Sequence, residues 1–307
     1  MRVFLCVSFL ILLVYSKHIS KPVRNFLQHP PGELHALLIA TSDTSNTWGN
    51  YRHQADVAHA YHTLTDRGVP AKNIVVMMKD DIAYNPENPF PGQLFNAPTG
   101  PNVYKGLTID YKGDSVTVEN FLNVLQGKSE AVQGGSGRVL NTGKNDRIFV
   151  YSSGHGSSGI LIFPDGHLSA KQLNSALEWM YSNRRYRQLV YYVEACESGS
   201  MFHNILRNDI NVYAVTAAGT NESSYGTCYH YKGDLLCLFD EFSLNWMEDA
   251  EKSKSYWESL GDQYVTVRNK TKGSHVMRYG DLQMSKIPTG WFQGIKYGYK
   301  ASDSKQL

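Results

Sequence analysis

The sequence predicts an α/β fold, with a mostly parallel sheet flanked by helices on both faces. Apolar runs of strand length recur along the chain without alternating with polar residues, which is typical of strands buried on both faces. Helical patterns lie between these runs, and this order favours a parallel sheet covered on both sides. Hydrophobic residues make up 42% of the chain and charged residues 19%, which is the composition of a folded protein.

Five apolar runs rich in valine, isoleucine, leucine and tyrosine are the predicted strands. They span residues 35–41, 73–78, 147–152, 189–195 and 210–217. Each is bounded by polar or glycine-containing segments, as expected for strands of a buried sheet.

Three segments have the spacing of amphipathic helices. Residues 51–67 place small and apolar side chains on one face, and Gly68 and Pro70 follow as a stop signal. Ser169 and Gln172 form a capping box that predicts a helix start, and residues 117–125 form a shorter helix.

Two long connections interrupt the alternation of strands and helices. Residues 80–114 are rich in proline, glycine and asparagine, and we expect an ordered excursion over the surface. Residues 219–240 form a second connection, rich in glycine and tyrosine, which we expect to line a pocket.

Length and charge exclude some function classes. The chain has 307 residues, with 30 lysine and arginine residues against 28 aspartate and glutamate residues, for a net charge of +2. This balance gives no reason to expect nucleic acid or an anionic membrane as partner. The helix with His53, His59 and His62 lacks the HExxH pattern and a carboxylate at ligand spacing, so we expect no metal and no cofactor.

The N-terminus resembles a secretory signal. Arg2 precedes an uncharged stretch over residues 3–15, with cleavage expected near Ser16, so residues 1–16 are the predicted signal peptide. The stretch is shorter than the roughly 20 residues that span a bilayer, so we expect no membrane anchor. Asn221 and Asn269 begin glycosylation sequons, which agree with a secretory route.

The four cysteines are too few for a disulfide-dense scaffold. Signal cleavage would remove Cys6, while Cys228 and Cys237 lie in one glycine-containing segment and could pair. Cys196 is then the odd cysteine, which suggests a free thiol.

Cys196 and His155 each follow a predicted strand. The carboxyl ends of parallel strands meet at one edge of a sheet, where ligands bind. A thiol beside an imidazole is the arrangement of nucleophilic catalysis, in which the base activates the thiol. Gly154 and Gly156 flank His155, and the N–H groups of Gly156 and Cys196 could bind a developing oxyanion. Either residue alone is more often a packing or structural residue, so the prediction rests on the pair.

Between about His35 and Gly280 the chain contains several longer motifs, at residues 50–56, 76–82, 87–89, 102–106, 194–201 and 245–249. In residue type and order these motifs resemble the legumain family, asparaginyl endopeptidases of the caspase–haemoglobinase clan (cysteine peptidase family C13). The resemblance implies a caspase/haemoglobinase-like fold with a single catalytic domain over residues 35–300. Residues 17–34 would be a short N-terminal segment that could be a propeptide, and residues 301–307 a frayed tail.

The resemblance also implies site residues. Cys196 would be the nucleophile, His155 the general base and acid, and Asn50 the residue that orients the histidine. The pocket for the substrate side chain (the S1 pocket) would be lined by Arg52, His53, Glu194 and Asp240, with Ser223 and Ser224 contacting the substrate. A pocket with both a cation and acids can satisfy both ends of an asparagine carboxamide.

The implied function is a secreted, lysosomal or vacuolar cysteine endopeptidase that cleaves after asparagine, and after aspartate at acidic pH. Its partners would be protein and peptide substrates and cystatin-type inhibitors. Two alternatives stay open: a transamidase or peptide ligase that uses the same acyl-enzyme, and a catalytically silent paralogue that binds peptides.

The sequence departs from the family in two places. The family usually has aspartate immediately before the catalytic histidine, and this chain has Gly154 there. Family zymogens continue into a helical C-terminal prodomain, whereas this sequence stops near the end of the catalytic domain. Either the sequence is partial or the enzyme is not held latent by such a prodomain.

Overall fold

A six-stranded sheet forms the centre of the fold. The computed structural model describes residues 32–45, 47–252 and 258–295, with only the main chain of Asp234. The strands in chain order are β1 (Leu34–Ala40), β2 (Ile74–Met77), β3 (Arg147–Ser153), β4 (Gly156–Ser157), β5 (Ile160–Phe163), β6 (Gly166–Ser169), β7 (Gln188–Glu194), β8 (Val212–Thr216), β9 (Gly226–Tyr231), β10 (Asp234–Asp240) and β11 (Met277–Gly280). The α-helices are α1 (Tyr51–Asp66), α2 (Val118–Gln126), α3 (Ala170–Ser182), α4 (Glu241–Lys252), α5 (Leu260–Lys270) and α6 (Gly290–Gln293).

The strand order in the central sheet is β11-β8-β7-β3-β1-β2. All neighbouring pairs are parallel except β11 and β8, which are antiparallel. The five strands predicted from apolar runs are β1, β2, β3, β7 and β8. The predicted fold class, a mostly parallel sheet, is therefore confirmed.

The two faces of the sheet bury separate hydrophobic cores. On the first face, Leu38 and Tyr151 pack with Trp246 of α4, beneath α1 and α5. On the second face, alternate residues of the same strands, such as Ile39 and Val150, pack under α2 and α3. Because both faces are covered, the strands show the continuous apolar runs seen in the sequence.

The predicted helices form with the expected signals at their ends. Helix α1 is followed by Gly68 in the left-handed region, with φ of 86°. Ser169 and Gln172 form both hydrogen bonds of a capping box at the start of α3. Thr117 caps α2, and Gly127 ends it with φ of 71°.

The connection over residues 219–240 contains a β-hairpin that was not predicted from its sequence. Residues 226–240 form the β9–β10 hairpin, joined by Lys232 and Gly233 with φ of 52° and 100°. Two residues with positive φ suit the right-handed twist of hairpin strands. In this hairpin Cys228 lies opposite Cys237, and the two are joined by a disulfide.

Residues 80–114 are an excursion without a helix or strand before the short 3-10 turn Gly113–Ser115, as predicted. Side chains hold this segment: Asn88 donates to the carbonyls of Ala83 and Gln93, and Phe95 N donates to the Tyr51 hydroxyl of α1.

No helix in the described ranges is long and apolar enough to cross a bilayer. The predicted signal peptide, residues 1–16, and the predicted tail, residues 301–307, lie outside the described residues.

Candidate active site

Three neighbouring strands deliver the candidate residues to one edge of the sheet. Ser153 of β3 is in register with Ala40 of β1 and with Glu194 of β7. His155 and Cys196 therefore each lie two residues beyond the same paired position. Gly154 N also donates to Glu194 O at 3.0 Å, which ties the two strand ends together.

Asn50 fixes the tautomer of His155. It precedes α1 but does not cap it; its Nδ2 donates to Asp43 O at 2.7 Å. Because a carbonyl oxygen only accepts, the amide orientation is set, and Asn50 Oδ1 is the atom that lies 2.7 Å from His155 Nε2. His155 Nε2 must then carry the proton, and Nδ1 is left with the lone pair that a general base needs.

The surroundings of His155 favour its neutral form. Its ring contacts His53 edge to face, with centroids 4.9 Å apart. Burial lowers the pKa of His155, the Arg52 charge lowers it further, and Asp240 opposes the shift. His155 is thus suited to accept a proton near neutral pH.

Cys196 lies in a tight turn after β7 and is a free, half-buried cysteine. Its Sγ donates to Ser224 O at 3.7 Å. The next residue, Glu197, has φ of 52°, and its N–H donates to Glu222 O at 2.8 Å. These contacts hold the thiol against the segment that carries Ser223 and Ser224.

Gly156 brings its main chain close to that of Cys196. A Cβ on Gly156 would lie 2.5 Å from Cys196 O, so only glycine fits. In the small β4-β5-β6 sheet, Gly156 of the edge strand β4 lies opposite Leu161 of β5. The preceding pair, His155 and Ile162, is hydrogen-bonded, since Ile162 N donates to His155 O. In an antiparallel ladder, hydrogen-bonded pairs alternate with pairs that are not hydrogen-bonded, so Gly156 N–H points away from β5. Within the described chain Cys196 N–H has no acceptor either.

Arg52 and Asp240 form an ion pair beside these residues. Arg52 Nε donates to Asp240 Oδ1 at 2.7 Å, and Arg52 Nη1 donates to Gly49 O at 2.5 Å. Gly226 lets this pair lie against the hairpin, since a Cβ there would be 2.5 Å from Arg52 Cδ and 3.1 Å from Asp240 Oδ1.

His53 is buried between Ser42 and Asp240. Its Nδ1 lies 2.6 Å from Ser42 Oγ, and its Nε2 lies 3.5 Å from Asp240 Oδ2. Among the described atoms neither His53 Nε2 nor Asp240 Oδ2 has a hydrogen-bond partner. Burial, followed by the charges of Arg52 and His155, holds the pKa of His53 well below its ordinary value.

Glu194 is a buried carboxyl group at the end of β7. The main-chain N–H and the hydroxyl of Ser243, in the first turn of α4, donate to Oε2 at 3.2 Å and 3.1 Å. Oε1 accepts no hydrogen bond within the described residues. Burial and the Asp240 charge raise the pKa of Glu194 to about 8. The Ser224 and Ser243 hydroxyls and the Arg52 charge act in the opposite direction and lower this pKa. The group is thus a neutral acid near pH 6.

The structure brings most of the predicted site residues together. Cys196, His155, Asn50, Gly156, Arg52, His53, Glu194, Asp240 and Ser224 lie at the carboxyl edge of the sheet or in contact with it. Ser223 is exposed and makes no hydrogen bond to the others in the described chain. Asn221 is exposed beside the Ser223–Ser224 segment, and Asn269 is exposed on α5.

Sequence reasoning missed four residues of this cluster: Ser42, Asp56, Gly226 and Ser243. Asp56 lies one helical turn after Arg52, so its spacing placed it on the same face as a predicted pocket residue. Ser42 lies two residues beyond the end of β1, at the sheet edge where ligands are expected to bind. Ser243 and Gly226 gave no signal, because their roles depend on where α4 and the hairpin pack.

Gly154 leaves room for the side chain of Thr41. A Cβ on Gly154 would fall on Thr41 Oγ1. Thr41 is buried, and its hydroxyl forms no hydrogen bond with described residues. The threonine therefore occupies the space next to His155 that a side chain at position 154 would need.

Comparison with known proteins identifies relatives of this chain. Legumain from Rattus norvegicus is 50% identical over 254 residues, which cover 82% of this chain and 58% of that protein. Hemoglobinase from Schistosoma japonicum is 49% identical over 261 residues, covering 85% and 60%. Vacuolar-processing enzyme from Vicia sativa is 46% identical over 264 residues, covering 82% and 52%. The chain thus spans between about half and three fifths of the length of these relatives.

In fold, the chain is similar to the crystal structure of caspase-1 from Spodoptera frugiperda, with a TM-score of 0.50 at 10% identity, covering 88% of this chain and 92% of that one. This similarity confirms the predicted caspase-like architecture. The model of the Peptidase C13 family matches residues 34–295, which is most of the sequence. The family resemblance inferred from the motifs is therefore confirmed, and the chain belongs to the Peptidase C13 family.

Proposed function

We propose that this protein is a cysteine endopeptidase that hydrolyses the peptide bond on the C-terminal side of asparagine. The observation that carries the proposal is the hydrogen bond between Asn50 Oδ1 and His155 Nε2 beside a free thiol. It leaves His155 Nδ1 as a base at the same sheet edge as Cys196. Family membership and the legumain relatives support the same reaction.

In the acylation step, His155 Nδ1 accepts the Cys196 thiol proton, and the sulfur attacks the scissile carbonyl carbon. The N–H groups of Gly156 and Cys196 stabilise the negative oxygen of the tetrahedral intermediate. Protonated His155 then gives its proton to the leaving amine, and the C–N bond breaks. A water molecule, activated by the same histidine, hydrolyses the thioester and releases the acid product.

Specificity for asparagine follows from groups in the pocket that lack partners. Glu194 Oε1 and Asp240 Oδ2 are buried acceptors without a hydrogen bond in the described chain. They can accept from the amide NH₂ of an asparagine side chain, while the Arg52 guanidinium can donate to its amide oxygen. An apolar side chain would leave these groups unpaired, at a cost of about 1–3 kcal/mol for each group. At acidic pH a protonated aspartate can fill the same pocket.

Kinetics with a peptide series tests the reaction and the pocket together. Peptides that differ only at the residue before the scissile bond should be cleaved fastest with asparagine, and a gain of aspartate cleavage should occur as the pH falls from 7 to 4. Cys196→Ala and His155→Ala should each lose at least about a thousandfold in kcat. His167→Ala, at an exposed histidine, is the matched control. Cleavage unchanged by Cys196→Ala would refute the mechanism.

We also propose that residues 35–300 act as one peptidase domain, made as a zymogen, and that the protein enters the secretory pathway and is secreted or delivered to a lysosome or vacuole. The disulfide in the β9–β10 hairpin is suited to an oxidising compartment. Asn221 and Asn269 are exposed and are the proposed glycan sites. Protein substrates and cystatin-type inhibitors are the proposed partners. Glycopeptide mass spectrometry of protein from eukaryotic cells tests the glycan sites.

A further inference from the structure

Asp56 is a fully buried carboxyl group next to the proposed pocket, with no role assigned so far. It lies on α1 at 0% exposure, four residues after Arg52. Arg52 is already engaged by Asp240 and by Gly49 O. A buried carboxylate without a cation of its own is costly unless hydrogen bonds or a proton compensate it.

The contacts of Asp56 join three separate parts of the site. Ser153 Oγ, at the end of β3, donates to Oδ2 at 3.1 Å. Asn96 Nδ2, on the 80–114 excursion, donates to Oδ1 at 2.8 Å and also to Leu238 O at 2.9 Å. Asp240 N, at the end of β10, approaches Oδ1 at 3.4 Å. Asp56 thus links the strand that leads to His155 with the hairpin that carries Asp240.

Asp56 and Asp240 are close neighbours, since Asp240 N lies 3.4 Å from Asp56 Oδ1 and the Asp240 charge raises the pKa of Asp56. Two carboxylates cannot hydrogen bond to each other, because both only accept, so a hydrogen bond between the two side chains requires a proton on one of them. Asp240 Oδ1 already accepts a hydrogen bond from Arg52 Nε at 2.7 Å. Asp240 Oδ2 is buried and has no donor among the described residues. A proton on Asp56 would supply one donor to this oxygen, which has two lone pairs and can also accept from the amide of a substrate asparagine.

The charges facing Asp56 from each packed element agree with this assignment. Arg52 comes from its own helix, as does His53, which lies against Asp240; Asp240 comes from β10, Glu194 from β7, and the buried Tyr151 hydroxyl from β3. Burial raises the pKa of Asp56 well above its ordinary value and the Asp240 charge adds to the shift, while the Asn96 hydrogen bond opposes it. Only Arg52 is a cation, since burial keeps His53 neutral.

We propose that Asp56 is the positioning residue of the side-chain pocket: it stays protonated and donates to Asp240 Oδ2, which holds Asp240 against Arg52. This inference rests on the proposed function. With Asp56 and Glu194 neutral, the pocket contains one cation and one anion. A pocket with no net charge suits a neutral carboxamide better than a charged side chain.

Two substitutions separate a neutral from an ionised Asp56. Asp56→Asn keeps the shape and supplies a permanent NH₂ donor, so KM for an asparagine peptide should stay within about threefold of the wild-type value at pH 5.5. The rise of KM at alkaline pH should begin at higher pH than in wild type. Asp56→Ala leaves Ser153 and Asn96 without their acceptor and should raise KM about tenfold or more.

Asp66→Asn, at an exposed position on the same helix, is the control. If Asp56→Asn loses as much as Asp56→Ala, the charge is needed and the proposal is overturned.

Infrared spectroscopy tests the proton directly and needs neither activity nor the alanine variant. In Glu194→Gln protein at pH 6, a buried carboxylic acid C=O stretch should remain, and it should vanish in the Glu194→Gln/Asp56→Asn double variant. Absence of the band in Glu194→Gln would overturn the proposal, even if asparagine peptides are cleaved. Failure of the wild type to cleave such peptides would instead refute the proposed function and leave the infrared result standing.

Discussion

The two faces of the central sheet bury polar residues of different kinds. On the first face, under α1 and α4, the buried polar groups include Asp56, Glu194, Asp240 and His53. On the second face, under α2 and α3, they include Asn120, Asn123 and Asn174. Both faces are otherwise closely packed by apolar side chains.

The difference lies in the chemistry of these groups, which are neutral amides on the second face and carboxyl and imidazole groups on the first. On the second face, Asn120 Nδ2 donates to the carbonyls of Ser115 and Gln133, and Asn174 Nδ2 donates to those of Ala170 and Met201. These amides fasten loops to helices. On the first face, Glu194 Oε1, His53 Nε2 and Asp240 Oδ2 lack partners in the described chain. On the second face, Asn174 Oδ1 and the Tyr191 hydroxyl also lack partners among the described residues. What distinguishes the first face is its concentration of buried carboxyl and imidazole groups at one sheet edge, as expected of a binding site.

Breaking the ion pair of the first face should have the largest effect. Asp240→Ala leaves Arg52 in a mostly buried position without its carboxylate, which should cost about 3–5 kcal/mol of unfolding free energy. Urea unfolding and asparagine-peptide kinetics together measure the loss, and kcat/KM should fall with stability. The exposed pair of Arg207 and Asp209 is the control, since Asp209→Ala should change neither quantity. A stable and active Asp240→Ala would show that the pair is dispensable.

Truncating the apolar core of the second face should affect stability alone. Leu177 on α3 is fully buried, and Leu177→Ala should cost about 2–5 kcal/mol through lost contacts and a cavity. At temperatures where the variant stays folded, kcat/KM and its pH profile should match wild type. Leu282→Ala, at a half-exposed leucine, serves as the comparison and should change stability little. A shifted pH profile in Leu177→Ala would mean that the two faces are not independent.

The pH dependence of stability should belong to the first face. The pKa of Glu194 is about 8 in the folded protein, above its ordinary value of 4.5, so folding favours the protonated form. Its stabilising contribution is present below pH 4.5 and is lost as the pH rises to 8. The pKa of Asp56 is raised for the same reason and acts in the same direction.

His53 and His155 have lowered pKa values, so they reduce stability only below about pH 6.5. Between pH 6.5 and 8 the melting temperature of the wild type should fall by roughly several degrees, and less in Glu194→Gln. Differential scanning calorimetry measures both, with the exposed Glu130→Gln as control. Equal slopes in wild type and Glu194→Gln would contradict the assignment.

The smallest expected effects give the sharpest comparison of the two faces. Ser243→Ala removes one of two donors to Glu194 Oε2, and Asn120→Ala removes loop contacts on the second face. Each should cost about 1 kcal/mol of stability. Only Ser243→Ala should also raise KM for an asparagine peptide. Equal KM values in both variants would contradict a role for Ser243 in the pocket.

The sheet and the nucleophile–base pair were predictable from the sequence. Strands buried on both faces leave continuous apolar runs, and His155 and Cys196 directly follow two of them. A parallel register then requires both residues to lie at one edge. The pairing of Ser153 with Glu194 shows that the two strand ends coincide.

The cluster of Asp56, Asn96 and Asp240 was less predictable, because it is formed by contacts between residues distant in sequence. Asp56 becomes significant only when Asn96 and Asp240 pack against it, 40 and 184 residues away. The β9–β10 hairpin was missed because its turn is Lys232-Gly233, whereas asparagine or aspartate before glycine is the usual signal. Local patterns contain no information on either feature.

The contact between Gly154 and Thr41 also constrains how this site can change by mutation. A side chain at position 154 would collide with the Thr41 hydroxyl, so the two positions are not free to vary separately. Exchange of Thr41 for a smaller residue would remove the colliding hydroxyl, whereas a side chain introduced first at 154 would meet it. An evolutionary path that adds a group beside His155 must therefore change position 41 before position 154.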